Sequence, residues 1–187
     1  MNRTDQSLTR HTTLFACALA LAGCSAERFA KKIIKTRKLD KNSLIFEIAS
    51  NDGYLLKNFI SSGIPCLGIE PTKSTAKEAV KKGIPVLMDF FGEALAKKLV
   101  DEGKKADLVI GNNVFAHVPD INDFTKGLKL ILKSDGIIPL EFPHLSKLIS
   151  ECQIDTIYHE HFSYLSLSFV KNIFESYGLN VYDVEKL

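Results

Sequence analysis

The chain has no tryptophan and only four cysteines in 187 residues, and no two of those cysteines form a Cys-x-x-Cys pair. That spacing excludes a zinc knuckle and a disulfide framework. Cys66, in the apolar run IPCLGIE, reads as a small buried hydrophobe; the others are Cys17, Cys24 and Cys152. Charge of one sign is also missing. The 24 Lys and Arg residues are interspersed with 22 Asp and Glu residues for a net charge of +2, without the basic stripe that nucleic acid requires. No apolar run is long enough to span a bilayer as a helix. There is no internal repeat, no low-complexity tract and no His-Glu-x-x-His. What is left is the composition of a soluble globular protein, 45% hydrophobic and 25% charged, long enough to bury one core.

The N-terminus is the exception to this ordinary picture. Arg3 and Arg10 precede an apolar stretch from Leu14 to Ala22, and Leu21-Ala22-Gly23-Cys24 has the form of a lipoprotein signal-peptidase box. Its length suits the apolar centre of a signal peptide. A lipoprotein, however, has a flexible polar tether after its cysteine, and here the helical, basic AERFAKKIIKTRK follows at once. Residues 1–26 are therefore set apart as a signal-like or foreign apolar segment, and residues 27–187 as one domain. The expected location is the cytoplasm. The alternative is a lipid-anchored envelope protein cleaved before Cys24, and membrane contact is expected only in that case.

From Leu44 onward, short apolar runs alternate with amphipathic ones. Strands are expected at Leu44–Ala49, Cys66–Glu70, Val86–Met88, Asp107–Gly111, Gly136–Phe142 and Asn180–Val184. Helices are expected near Tyr54–Ser62, Ser74–Lys82, Gly92–Glu102, Ile121–Leu132 and Ser168–Tyr177. Strands apolar throughout need a sheet covered on both faces, and the alternation implies right-handed βαβ units in a doubly wound α/β sheet. Gly63, Gly83, Gly103 and Gly178 each stand just past a helical pattern, where a left-handed residue ends the helix.

Ligands of such sheets bind beyond the carboxyl ends of the strands, where the strand order reverses. The first strand runs into EIASNDG, with Glu47, Asn51, Asp52 and Gly53. A phosphate loop would want more glycines and no acid; acids at this turn repel a pyrophosphate and accept from an ammonium group. Glu70 in GIEP can accept both hydroxyls of a ribose. In MDFF, Asp89 can accept from an adenine amine and Phe90 can cover its ring. Asn112 and Asn113 in IGNNVFAHVPD fall where cofactor and substrate would meet. Alone, Glu70 reads as a surface carboxylate, Asp89 as a helix cap and IASNDG as a plain turn. In this order they describe a pocket for S-adenosylmethionine (SAM).

FEIASNDGYLLKNF, GIEP, DFFGEALA, ADLVIGNNVFAHVPDINDF, EFPHLSKLI and DTIYHEHFSYLSL resemble the SAM-dependent nucleotide-sugar C-methyltransferases over about residues 26 to 187. The resemblance implies a Rossmann-like class I methyltransferase fold. The common version of that sheet ends in an antiparallel strand inserted beside the one read in GLNVYDVEKL, and that last strand is expected to be missing here, leaving an exposed edge. The implied reaction methylates a carbon beside a ketone in a nucleotide-linked deoxysugar. A base takes the α-proton and the enolate attacks the methyl group, which suits a histidine. By resemblance, His161 of YHEH is the base, Glu160 and Tyr158 orient it or bind sugar, and His117 stands near the ketone. His144, His159 and Tyr164 fall on the substrate side. Zinc held by His-Glu-His is the competing chemistry; no metal ligand set is assigned. The family's N-terminal zinc-binding domain and C-terminal domain have no counterpart, so weak or no turnover by this chain alone is expected. A non-catalytic SAM-binding or partner-binding remnant is the alternative.

Overall fold

The computed structural model describes residues 13–17 and 24–185. In chain order the elements are β1 (Thr13–Cys17), α1 (Cys24–Arg37), β2 (Ile45–Ile48), α2 (Leu56–Ser61), β3 (Cys66–Ile69), α3 (Lys73–Lys81) and β4 (Val86–Leu87). They continue with α4 (Glu93–Asp101), β5 (Ala106–Asn112), α5 (Ile121–Ile131), β6 (Leu132–Glu141), α6 (Leu145–Ser150), α7 (Leu167–Ser176) and β7 (Asn180–Glu185). The sheet order is β4-β3-β2-β5-β6-β1-β7, and every pairing in it is parallel.

Alternation along the strands builds a core on each face. Ile45, Leu108, Ile110 and Ile137 face one cluster with Ala26, Ala30 and Ile33 of α1, Leu56 and Phe59 of α2, and Ala79 of α3. Phe46, Ile48, Val109, Ile138 and Leu140 face the other, with Leu95 and Leu99 of α4, Phe124 and Leu128 of α5, and Val170 and Phe174 of α7. Each large side chain so buried contributes roughly 1.5–3 kcal/mol. The helices have readable starts: the Asp120 carboxylate accepts from the N–H groups of Asn122 (2.9 Å) and Asp123 (3.0 Å), and the Ser166 hydroxyl accepts from Phe169 N–H (3.2 Å). The four expected helix-ending glycines all have positive φ.

Three differences from the sequence reading have physical causes. β6 begins at Leu132, directly after α5, rather than at Gly136. Leu132 pairs with Ala106, Ile137 pairs with Leu108, and the polar residues between them are accommodated by a register shift. α6 is an added short helix in the loop after β6. The largest difference lies at β1. No antiparallel strand occurs among the described residues, but β7 is not left with the open inner edge expected of it. Thr13–Cys17 lies between β6 and β7, pairing Thr13 with Ile137 on one side and with Asn180 on the other. Part of the segment set apart as residues 1–26 thus belongs to the sheet, and α1 starts at Cys24. Residues 18–23, which carry most of the signal-peptidase-like box, lie outside the described residues.

The chain moves outward from β2 through β3 to β4, then returns across β2 to start β5. The point where the order reverses is therefore the gap between the carboxyl ends of β2 and β5.

Candidate active site

The turn after β2 is held in an uncommon backbone shape. Ala49, Asn51 and Gly53 have φ of 55°, 52° and 75°. Left-handed alanine and asparagine cost about 1–2 kcal/mol each, so hydrogen bonds must hold them. Ala49 N–H and Ser50 N–H both donate to the Ile69 carbonyl (2.8 and 3.3 Å), and Gly53 N–H donates to the Ser50 carbonyl (3.0 Å). At Gly53 a side chain is excluded twice over, by its φ and by the Ile84 side chain, which a Cβ would strike.

Glu70 ties the turn to β3. Buried to 4% exposure, its carboxylate accepts from Asn51 N–H (3.0 Å) and Thr72 N–H (2.8 Å). A carboxylate has about four acceptor positions, so capacity for two hydroxyls remains. Asp52 is half-buried on the turn and paired with Lys82, whose hydrogen bond holds its pKa below the ordinary carboxylate value.

Glu47 lies one residue from the end of β2, in register with Gly68 of β3 and Ile110 of β5. Its side chain is 1% exposed, and its Oε2 has no hydrogen-bond partner; the fully buried Ser50 hydroxyl has none either. Burial, then the charges of Asp52 and Glu70, push Glu47 well above the ordinary carboxylate range. Two orphaned polar atoms at a sheet switch point fit a polar ligand with donors to offer.

Sequence reading missed Tyr54 and Glu141. Tyr54 is half-buried and hydrogen-bonded to Asn112; burial raises its pKa, opposed by that bond and aided by Glu47, Glu141 and Asp52. Glu141 ends β6 and is buried. The signal was available, since acids at consecutive strand ends were already the criterion. Asn113, with φ of 51°, donates its N–H to the Glu141 carbonyl (2.9 Å). Farther out, Asp89 accepts from Phe90 N–H (2.8 Å), and the Phe90 ring is 79% exposed.

The second half of the site is a ring cluster. A short 3-10 turn carries His117, and the Ala116 carbonyl accepts from Phe162 N–H (2.9 Å) and Ser163 N–H (3.2 Å). This clamp brings His161 within 4.7 Å of His117, measured between ring centroids, with Tyr158 at 4.2 Å and Tyr164 at 5.9 Å from His161. The Thr156 carbonyl lies 2.8 Å from His161 Nδ1. A carbonyl only accepts, so Nδ1 carries a proton, and in the neutral ring the lone pair is on Nε2. His159 and Glu160 are exposed on the same turn. His144 has a different occupation. Leu167 N–H approaches its Nε2 (3.2 Å), and the Ser146 N–H (3.3 Å) and hydroxyl (2.7 Å) both approach its Nδ1, so the ring caps α6 and joins it to the start of α7.

A family model described as a methyltransferase domain matches residues 24–184. C-methyltransferase NovU from Streptomyces niveus is 36% identical over 146 residues, 78% of this chain and 35% of that protein. The chain thus spans about a third of the length of that curated relative. Among solved structures, a SAM dependent methyltransferase from Archaeoglobus fulgidus has a TM-score of 0.62 at 21% identity, covering 82% of this chain and 68% of that one. Magnesium protoporphyrin IX methyltransferase from Synechocystis PCC 6803, solved with bound SAH, has a TM-score of 0.62 at 14% identity, covering 83% and 72%. At these identities the structural likeness concerns the fold.

Proposed function

Because the chain belongs to the methyltransferase-domain family, we propose that it is the methyl-transferring module of a SAM-dependent C-methyltransferase that acts on a nucleotide-linked ketodeoxysugar. The cofactor is SAM, and the residues present fit it. Glu47, Asp52 and the Ser50 hydroxyl meet the amino-acid end, Glu70 meets the ribose, and Asp89 and Phe90 meet the adenine. Bound there, SAM supplies an electrophilic methyl group.

The observation that carries C-methylation is His161. Its Nδ1–H is committed to the Thr156 carbonyl, which leaves Nε2 free to take a proton from the carbon beside a ketone. Tyr158 and His117 pack on its ring. In this reading His117 donates to the oxygen on which charge develops in the enolate. The 36% identity to a C-methyltransferase supports the same chemistry. A cytoplasmic location belongs to this reading. Cleavage before Cys24 would remove β1, which the sheet uses; among the described residues no helix is long and apolar enough to cross a membrane.

The test is exchange of the α-proton of a nucleotide-linked ketodeoxysugar in deuterated water, followed by proton NMR with SAH present. Exchange that drops at least about 100-fold in His161→Gln supports the enolate route. SAH binding without exchange would leave a non-catalytic cofactor-binding module. The exposure of Ile154, Ile157 and Phe162 beside the ring cluster favours that second reading for the chain alone.

A further inference from the structure

Glu47 is a buried acid surrounded by groups that do not neutralise it. Asp52 and Tyr54 on the turn, Cys66 on β3 and Glu70 just past its end are all near enough to exchange charge effects with it. The thiol of Cys66 is itself pushed up to about 11, by burial first and then by Glu47. Beyond Tyr54 lie the Asn112 amide at the end of β5 and the Glu141 carboxylate at the end of β6. The nearby cation, Lys82, is taken up by Asp52. A bare carboxylate in that position would have an orphaned oxygen, low local polarity and two like charges against it. Each of the three disfavours the anion. A ligand cation reverses that balance at one step, because it provides the missing donor and the missing positive charge together.

We propose that Glu47 holds a proton in the free protein and releases it when the ammonium end of the cofactor enters, so that cofactor binding is linked to proton loss. This rests on the SAM reading above and adds to it the identity of the group that titrates. The sign follows from linkage: a ligand that prefers the ionised acid binds more tightly as pH rises, until the acid is already ionised in the free state. One linked proton gives an affinity that rises by up to about tenfold per pH unit within that window and is level above it. The nucleoside end makes no use of Glu47. 5′-Methylthioadenosine, which lacks the amino-acid portion, is therefore expected to bind with no proton release.

Calorimetric titration of the full chain with SAH, in buffers of low and high ionisation enthalpy at each pH from 5 to 9, counts the protons released. The expected result is release of most of one proton with SAH and none with 5′-methylthioadenosine. In Glu47→Gln, which preserves shape, the release disappears and affinity no longer rises with pH. SAH binding without proton release at any pH would overturn the inference and leave the cofactor assignment intact. Equal release by wild type and Glu47→Gln would also overturn it, by placing the proton elsewhere. No SAH binding by a folded chain would overturn both this inference and the reading beneath it. The pH series and the truncated ligand need no variant, so poor folding of Glu47→Gln leaves the test decisive.

Discussion

At Gly53 one missing methyl group decides the shape of the whole turn. Gly53→Ala must adopt a φ near 75° and push the Ile84 side chain aside. The conformational and packing penalties together predict a loss of about 2–4 kcal/mol, read from the urea midpoint. Glu47 gives a prediction of opposite character. Because the folded state raises its proton affinity, its contribution to stability is present below the ordinary value of 4.5 and is lost as pH rises through the folded value. Stability of the wild type should therefore decline over that span, and Glu47→Gln should flatten the decline. Asp52 has the reverse sign: its lowered pKa gives a stability contribution that is present above 3.8 and is lost as pH falls through the folded value. The half-exposed Lys82 pair makes that second effect small.

Helices α4 and α5 approach each other through glycine. A Cβ at position 127 would lie 2.8 Å from the Gly92 backbone, and one at 92 would meet the Asp123 carboxylate. Gly127→Ala is expected to cost about 1–3 kcal/mol by forcing these helices apart, with the midpoint shift visible in thermal unfolding. On the sheet, Phe15→Pro removes a backbone donor from a strand flanked on both sides. A loss of about 1–3 kcal/mol and faster amide exchange in β6 and β7 are expected. Most elements from Ile45 onward were legible because their period and their bounding glycines are local properties of the chain. β1 was not, because an apolar strand and the apolar centre of a signal peptide have the same composition. Only its pairing with residues far along the sequence distinguishes them. The short α6 has no buried residue, and so left no apolar stripe to read.

Across the whole molecule, the two halves of the site differ in how they could be found. The acid-lined rim followed from strand ends, which are ordered by the sheet itself. Resemblance singled out the ring cluster, but its geometry required knowing that the Ala116 carbonyl receives two N–H groups from residues 162 and 163. The same geometry separated His161, with a lone pair free, from His144, whose nitrogens are both engaged. Around the rings, Ile149, Ile154, Ile157 and Phe162 remain exposed. The position of β1 also sets a timetable. Thr13 is made well before its partners, Ile137 and Asn180. At about 5–20 residues per second, a ribosome needs on the order of ten seconds to deliver the second of them. Until residue 137 is made the strand has no neighbour in this sheet, and until residue 180 is made one of its edges stays unpaired. The nascent chain must therefore hold β1 in reserve until β6 gives it a first neighbour and β7 a second.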